Sequence, residues 1–350
     1  MVDTALEARP TRRVVPAIIS VVMVVFIFGW ALPRLADYSA IWAALQSLSI
    51  MAIVAVAVAA AANFATYWWV LVVSLPGLTF AKAAVAHSAS TAVAHAVPGG
   101  GAVAVGLSYA MYSSWGLRPG PIARSVLLTG LTNNLVKFAF PVVALALLAF
   151  EGGASAALVV AAAFGLALLA ATLAVLGLAL RRDALSRSLG RAAQGLISRI
   201  RRPFKKGPVT GWDEAASRFR AEATDLLRLR GAQLTVATIA SQSAIFVVLL
   251  VSLRGLGVTA NEVSWIEALA AFSFVRLVSA LPVTPGGLGI IELGLLAILT
   301  SGLAEGPTAE VAAAILLFRF VTFVVPVAIG GIAYLVWRHK TSWHGPAAAP

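Results

Sequence analysis

Long apolar runs with few polar interruptions dominate this chain. Residues 1–13 are polar and end in Arg12-Arg13, and about 19 mostly apolar residues, 14–32, follow. At 1.5 Å per residue that run suffices for one bilayer crossing. No small-x-small cleavage site precedes Pro33, so the pattern predicts an uncleaved first span rather than a signal peptide. Residues 40–48 predict a short interfacial helix, and 49–75 a second span, Ala-rich in its middle and ending near Trp68-Trp69. Residues 125–150 and 154–180 predict spans three and four, joined by Glu151-Gly152-Gly153. Residues 232–253 predict span five and 310–337 span six.

Two apolar regions do not fit this scheme, because each is broken in its middle. The first break is Val97-Pro98-Gly99-Gly100-Gly101 and the second is Thr284-Pro285-Gly286-Gly287-Leu288-Gly289. Proline removes a backbone donor and glycine weakens a helix. Broken backbone does not sit in lipid unless protein or water satisfies it. The arms around each break are short for a hydrocarbon core of about 30 Å. The pattern therefore predicts two re-entrant hairpins, about 80–116 and about 263–302, each with its break at the tip. Interruptions in corresponding places of two halves point to a binding or translocation centre near the midplane.

Between the halves the pattern changes. Residues 181–230 carry apolar positions at helical spacing among arginines: Leu189, Ala192, Ala193, Leu196, Ile197 and Ile200, then Trp212, Phe219, Ala223, Leu226 and Leu227. Two readings stay open for this stretch: amphipathic helices lying on the membrane surface, or a solvated linker. The expected organisation is a first membrane half over 1–180, a basic cytoplasmic linker over 181–230, a second membrane half over 231–340 and a tail over 341–350.

Composition fixes the class. Hydrophobic residues make up 60% of the 350, charged residues only 11%, and mean hydropathy is +0.93. A soluble domain carries roughly 25% charged residues, so this is an all-α polytopic membrane protein. The chain has no cysteine, which excludes disulfide and thiolate chemistry. The net charge of +12 is concentrated: nine Lys or Arg fall between Arg181 and Lys206, and Arg218, Arg220, Arg228 and Arg230 follow. Basicity beside membrane spans sets orientation and contacts anionic lipid, and no nucleic-acid module accompanies it. By the positive-inside rule Arg12-Arg13, the central basic stretch and Arg338/Lys340 are cytoplasmic, which places both termini there. With six spans the count closes. The first hairpin then enters from the cytoplasm, near Lys82, Arg118 and Arg124, and the second from outside, near Glu262 and Glu305. Opposite entry makes the two halves an inverted repeat.

The candidate chemistry lies at the breaks. Glu292 follows Gly289 by three positions inside an apolar run, where an ionisable group is a functional candidate. It can bind a proton, a coupling cation or a cationic headgroup, or simply cap the helix that starts there. Arg276 in the first arm and Arg319 in span six are the candidates to neutralise Glu292 or to bind a lipid phosphate; structural pairing and snorkelling are the plainer alternatives. Lys137 with Asn133 and Asn134 forms a polar cluster in span three whose expected use is interhelical hydrogen bonding. A zinc site needs three or four ligands; His87 and His95 flank one arm while His339 and His344 lie in the tail, so no metal site and no cofactor are expected. Gly99-Gly100-Gly101 lacks the preceding strand of a dinucleotide fingerprint.

Around the second break, Ser279-Ala280-Leu281-Pro282, Thr284 to Gly289 and Ile290-Ile291-Glu292 resemble the lysylphosphatidylglycerol synthase transmembrane family, also called flippase-like domain proteins. Pro98-Gly99-Gly100, the helix number and the length add to the resemblance, which spans about residues 10–340. It implies a bacterial or archaeal plasma-membrane protein with a lipid-translocation fold. Longer members of that family carry a soluble aminoacyl-transferase domain; the stand-alone form does not imply synthase activity. One departure is that residues 102–107 after the first break are wholly apolar here, where the family often carries charge.

The leading expectation is a transporter of an anionic or polyprenyl-linked lipid headgroup. Its site would comprise Pro98, Gly99, Gly100, Gly101, Arg276, Pro285, Gly286, Gly287, Gly289, Glu292 and Arg319. The alternative is a non-transport scaffold that docks a cell-envelope enzyme through its basic helices. An intramembrane enzyme needs a nucleophile with a matched base, and no such pair is placed in the sequence.

Overall fold

Ser49 starts the first long span: its hydroxyl accepts from the Ala52 amide at 3.1 Å and so satisfies one free donor at the helix N-terminus. The helix it caps, Ile50–Ser74, is 25 residues long, about 37 Å, and crosses a bilayer with length to spare. The computed structural model describes residues 38–96, 100–150, 156–201, 207, 210–279, 285–301, 308–340 and 343. The expected first span at 14–32, Pro98, Gly99 and nearly all of the tail lie outside the described residues.

Every described element is helical. In chain order they are α1 (Tyr38–Gln46), α2 (Ile50–Ser74), α3 (Phe80–Ala96), α4 (Gly100–Ser114), α5 (Pro119–Phe150), α6 (Ala156–Arg181), α7 (Asp183–Arg201), α8 (Trp212–Gly255), α9 (Trp265–Val278), α10 (Ile290–Thr300), α11 (Thr308–Arg319) and α12 (Val325–His339). A 3-10 turn over Pro285–Gly287 precedes α10, and a π turn over Phe320–Val324 joins α11 to α12. Among the described residues five stretches are long and apolar enough to cross a membrane: α2, α5, α6, α8 and the run α11–α12. They match the expected spans two to six. Their outward faces stay bare, with Ile50, Phe150 and Phe164 each more than two-thirds exposed, as lipid-facing side chains are.

Helices in lipid gain no hydrophobic free energy by meeting, so they associate through close packing and hydrogen bonds. Both devices are present. On α12, Gly330 lies against the Ser88 carbonyl and the Ala92 methyl of α3, leaving no room for a side chain. The last helix of the chain is thereby seated in the first half. Ser74 on α2 and Ser125 on α5 share a hydrogen bond of 2.7 Å, and Ser90 on α3 bonds Ser108 on α4 at 2.6 Å. The largest buried apolar cluster among the described residues gathers around Phe246, Phe272, Phe318, Leu295, Leu296 and Leu299, and Ile41, Ala59 and Ala144 join it. Arg254 pins its connecting loop by donating to the carbonyls of Val258, Thr259 and Val263 at 2.8–3.0 Å. Ser264 and Glu267 then cap α9 reciprocally.

Over its described residues the basic stretch is helical, in α7 and the first part of α8. Residues 212–230 are the first part of α8, so the boundary drawn at 230 falls inside an unbroken helix of 44 residues, about 66 Å long. α7 runs antiparallel beside that part of α8. Asp183 accepts from Ser217 at 2.5 Å and from Arg220 at 3.2 Å, while eleven residues further on Gln194 accepts from the Trp212 amide at 3.2 Å. Gly190 lets the two backbones meet. The physical reason is that each helix alone has an apolar stripe too narrow to stand free. Ala223 and Leu226 also pack with Val70, Val73 and Leu128 at the ends of α2 and α5.

Candidate functional site

The second break is built on three glycines. Gly286, Gly287 and Gly289 have φ of 58°, 71° and 83°, a region that costs other residues free energy. They turn the chain after α9 and start α10 at Ile290. The new helix exposes free amides at its N-terminus. Glu292 answers them: its Oε2 accepts from the Gly289 amide at 2.6 Å. Its other oxygen, Oε1, accepts from Arg319 Nε at 2.6 Å, in a pair that is nearly fully buried. Arg319 Nη2 donates further to the Gly286 carbonyl at 3.1 Å. One guanidinium thus holds the carboxylate and the broken backbone together. Glu292 therefore combines the capping role with a charge pair, and Arg319 rather than Arg276 is the residue that neutralises it.

The first break meets the second through aromatic rings. The guanidinium of Arg319 lies 4.9 Å from the centre of the Phe323 ring, and Phe323 stacks on His95 at 4.7 Å with an angle of 11° between planes. His95 is the penultimate residue of α3, two positions before the first break. The π turn supplies this geometry: an extra residue in the turn is a common device at functional sites, and it carries Phe323 over the second break. Gly286 is closed in by that same ring. Beyond the first break, Gly100 lies hard against the carbonyls of Val93 and Ala94, while Gly101 faces open space.

Arg276 sits apart from this cluster. Its Nη2 donates to Gln242 Oε1 at 3.2 Å, and its guanidinium lies 5.4 Å from the Phe272 ring centre. Gln242 in turn donates through Nε2 to Asn133 Oδ1 across the α5–α8 contact. The interhelical hydrogen bond expected of the Asn133 cluster is therefore made. Lys137, one turn beyond Asn133 on α5, is within electrostatic range of Arg276, and Arg276 of Arg319. Among the described residues Arg276 and Lys137 thus add two cations near the Glu292–Arg319 pair. Among the described residues neither Arg276 nor Lys137 makes a salt bridge, and both stay partly accessible.

A cavity of about 290 Å³ lies between α2, α3, α4 and α5. Gly101 and Ala94 line it beside the first break, and Asn133, where the amide chain to Arg276 begins, lines it from α5. Sequence reading missed this cavity and the roles of His95, Phe323 and Gln242. Buried polar residues in apolar runs were the available signal, but their partners lie on distant helices. No group of three or more His, Asp or Glu among the described residues could hold a metal ion.

No curated protein is similar enough to this chain to be matched to it. A family model described as "Lysylphosphatidylglycerol synthase TM region" matches residues 17–330, nearly all of the chain's 350 residues. The second break, the buried Glu292–Arg319 pair, four of the five long spans and most of the last lie within that match, and the chain belongs to the lysylphosphatidylglycerol synthase transmembrane-region family.

Proposed function

We propose that this protein moves a lipid with an anionic headgroup, phospholipid or polyprenyl-linked, between the leaflets of a bacterial or archaeal plasma membrane, without chemical conversion. The observation that carries this reading is the cation excess at the broken helices. Charges inside a membrane are costly, and they are retained where they pair or bind. Arg319 has its partner in Glu292, whereas among the described residues Arg276 and Lys137 pair with no carboxylate. A phosphate group would supply the missing charge, with bidentate geometry at the guanidinium. The free amides that begin α4 add anion affinity, whereas the start of α10 is already turned to the Glu292 carboxylate.

In this reading α3–α4 and α9–α10 are re-entrant hairpins of an inverted repeat, entering from opposite faces, with both termini cytoplasmic. Their lengths support it: 17, 15, 14 and 11 residues give about 26, 22, 21 and 17 Å, each short of the hydrocarbon core. The Arg319–Phe323–His95 contact would be the joint at which the two hairpins part and rejoin as the site opens to each side. Glu292 would release or regain Arg319 on taking up a proton or cation. With no nucleotide-binding motif in the sequence, movement is passive or driven by a gradient.

Leaflet exchange in proteoliposomes tests the proposal. Fluorescent phosphatidylglycerol and a polyprenyl-phosphate probe should exchange fast with the wild type. Arg276→Ala should slow exchange at least tenfold while leaving folding intact, because the side chain makes one hydrogen bond, to Gln242, and no salt bridge among the described residues. Wild-type rates in folded Arg276→Ala would remove that side chain from the mechanism. A second reading, a scaffold for a cell-envelope enzyme, draws on the α7–α8 pair and its arginines. It requires a partner whose co-purification is lost when Arg199 and Arg201 are neutralised.

A further inference from the structure

The cavity between α2 and α5 differs in chemistry from the cation cluster beside it. None of its lining residues is Asp, Glu, Lys or Arg. Hydroxyls and one amide make its polar surface: Ser90, Thr91, Ser108, Ser125, Thr129 and Asn133 come from three helices. Two tyrosines and a histidine add aromatic faces. His87 stacks on Tyr67 with ring centres 4.1 Å apart. Tyr112 is 3% exposed and lines the same space, and its hydroxyl makes no hydrogen bond among the described residues. Buried tyrosine hydroxyls ordinarily find a partner.

These walls discriminate among occupants. A phosphate inside the cavity would lose its water and meet no cation. An acyl chain would leave the Tyr112 hydroxyl without a partner and would leave unused the spare lone pairs of hydroxyls that already bond one another or the backbone, as Ser90 does Ser108 and Thr129 the Ser125 carbonyl. An uncharged group with many hydroxyls satisfies both constraints, giving hydrogen bonds to the serines and threonines and laying C–H faces on the rings. A volume of about 290 Å³ admits a ring the size of one hexose. Space for it is held open by two glycines: a Cβ at Gly101 or at Gly130 would touch nothing within 4 Å. The charge order fits as well. From Asn133 the amide chain leads to Arg276, and Lys137 lies one turn on.

We infer that this cavity binds an uncharged hexose-sized sugar carried on the phosphate of the transported lipid, the phosphate lying outside it at Arg276 and Lys137. This assignment rests on the anionic-headgroup reading above and names the substrate class for it.

The test uses the full-length chain in nanodiscs of zwitterionic lipid. Two short-chain polyprenyl phosphodiesters of equal charge serve as probes, one a hexosyl ester and the other a methyl ester, with binding measured by calorimetry. The wild type should bind the hexosyl ester at least tenfold more tightly. Gly130→Leu, which fills the cavity without a backbone clash, should abolish that preference and leave the methyl ester's affinity unchanged. Tyr112→Phe, which keeps the ring, should reduce the preference about fivefold, the value of one hydrogen bond. Arg276→Ala should weaken both probes equally. Equal affinity of the wild type for the two esters overturns the sugar assignment and leaves the anion site standing. An undiminished preference in Gly130→Leu places the sugar elsewhere and also overturns it. Absence of binding by either ester overturns the anionic-headgroup reading and this inference with it.

Discussion

Glu292 was legible from sequence as an ionisable group in an apolar run, and its neighbourhood explains how it is tolerated. A buried carboxylate needs a partner and satisfied oxygens. Here one oxygen takes the Gly289 amide and the other takes Arg319. Removing one member leaves the other as an uncompensated buried charge, which costs about 3–5 kcal/mol. Glu292→Ala should therefore lower the thermal unfolding midpoint in detergent sharply, and Arg319→Met combined with it should recover much of the loss. Additive losses in the double variant would contradict direct pairing. Which arginine pairs with Glu292 was not legible. Arg276 lies 16 positions before it and Arg319 27 after it, and only the glycine turn and the π turn decide between them. Glycines announce that a break exists, but not where its new helix points.

At the scale of elements, the helices themselves follow from runs of apolar residues, and α2, α5 and α6 fall close to the bounds that length and hydropathy predict. Their neighbours do not follow. The seat of α12 on α3 depends on Gly330 meeting Ser88, a small-residue contact with no period to reveal it. Gly330→Leu should wedge the two apart, lowering stability and the yield of monodisperse protein, whereas Gly331→Leu, facing open space, should leave both unchanged. The α7–α8 pair was hidden for another reason: an amphipathic helix fits a membrane surface and a partner helix equally well. Asp183 now gives that pair a pH signature. The Ser217 hydroxyl, then Arg187 and Arg220, hold its carboxyl below the usual range. The folded pKa is depressed, so the contribution is fully present above the ordinary aspartate value of about 4 and is lost as pH falls through the lower folded value. Amide exchange of α7 should stay slow at pH 5 and quicken only well below pH 4. Asp183→Asn should show the faster exchange already at pH 7; equal protection in the variant would mean that the helices are held by packing alone.

At the scale of the whole molecule, composition settled the class, and the paired breaks pointed to the centre. What sequence left open was how the halves join. They interlock: α12 packs into the first half, His95 reaches Phe323, and Asn133 reaches Gln242 and Arg276. The outcome is a membrane interior with more positive than negative charge beside an uncharged polar cavity. On the proposed function, this charge excess receives a headgroup of opposite sign. Leaflet exchange of two fluorescent lipids with identical acyl chains tests it most directly, one with an anionic phosphoglycerol headgroup and the other with zwitterionic phosphocholine. The account predicts exchange of the anionic lipid at least tenfold faster in wild-type proteoliposomes, with the difference lost in Arg276→Ala. Equal rates for the two lipids, or a difference that survives in the folded variant, would contradict it.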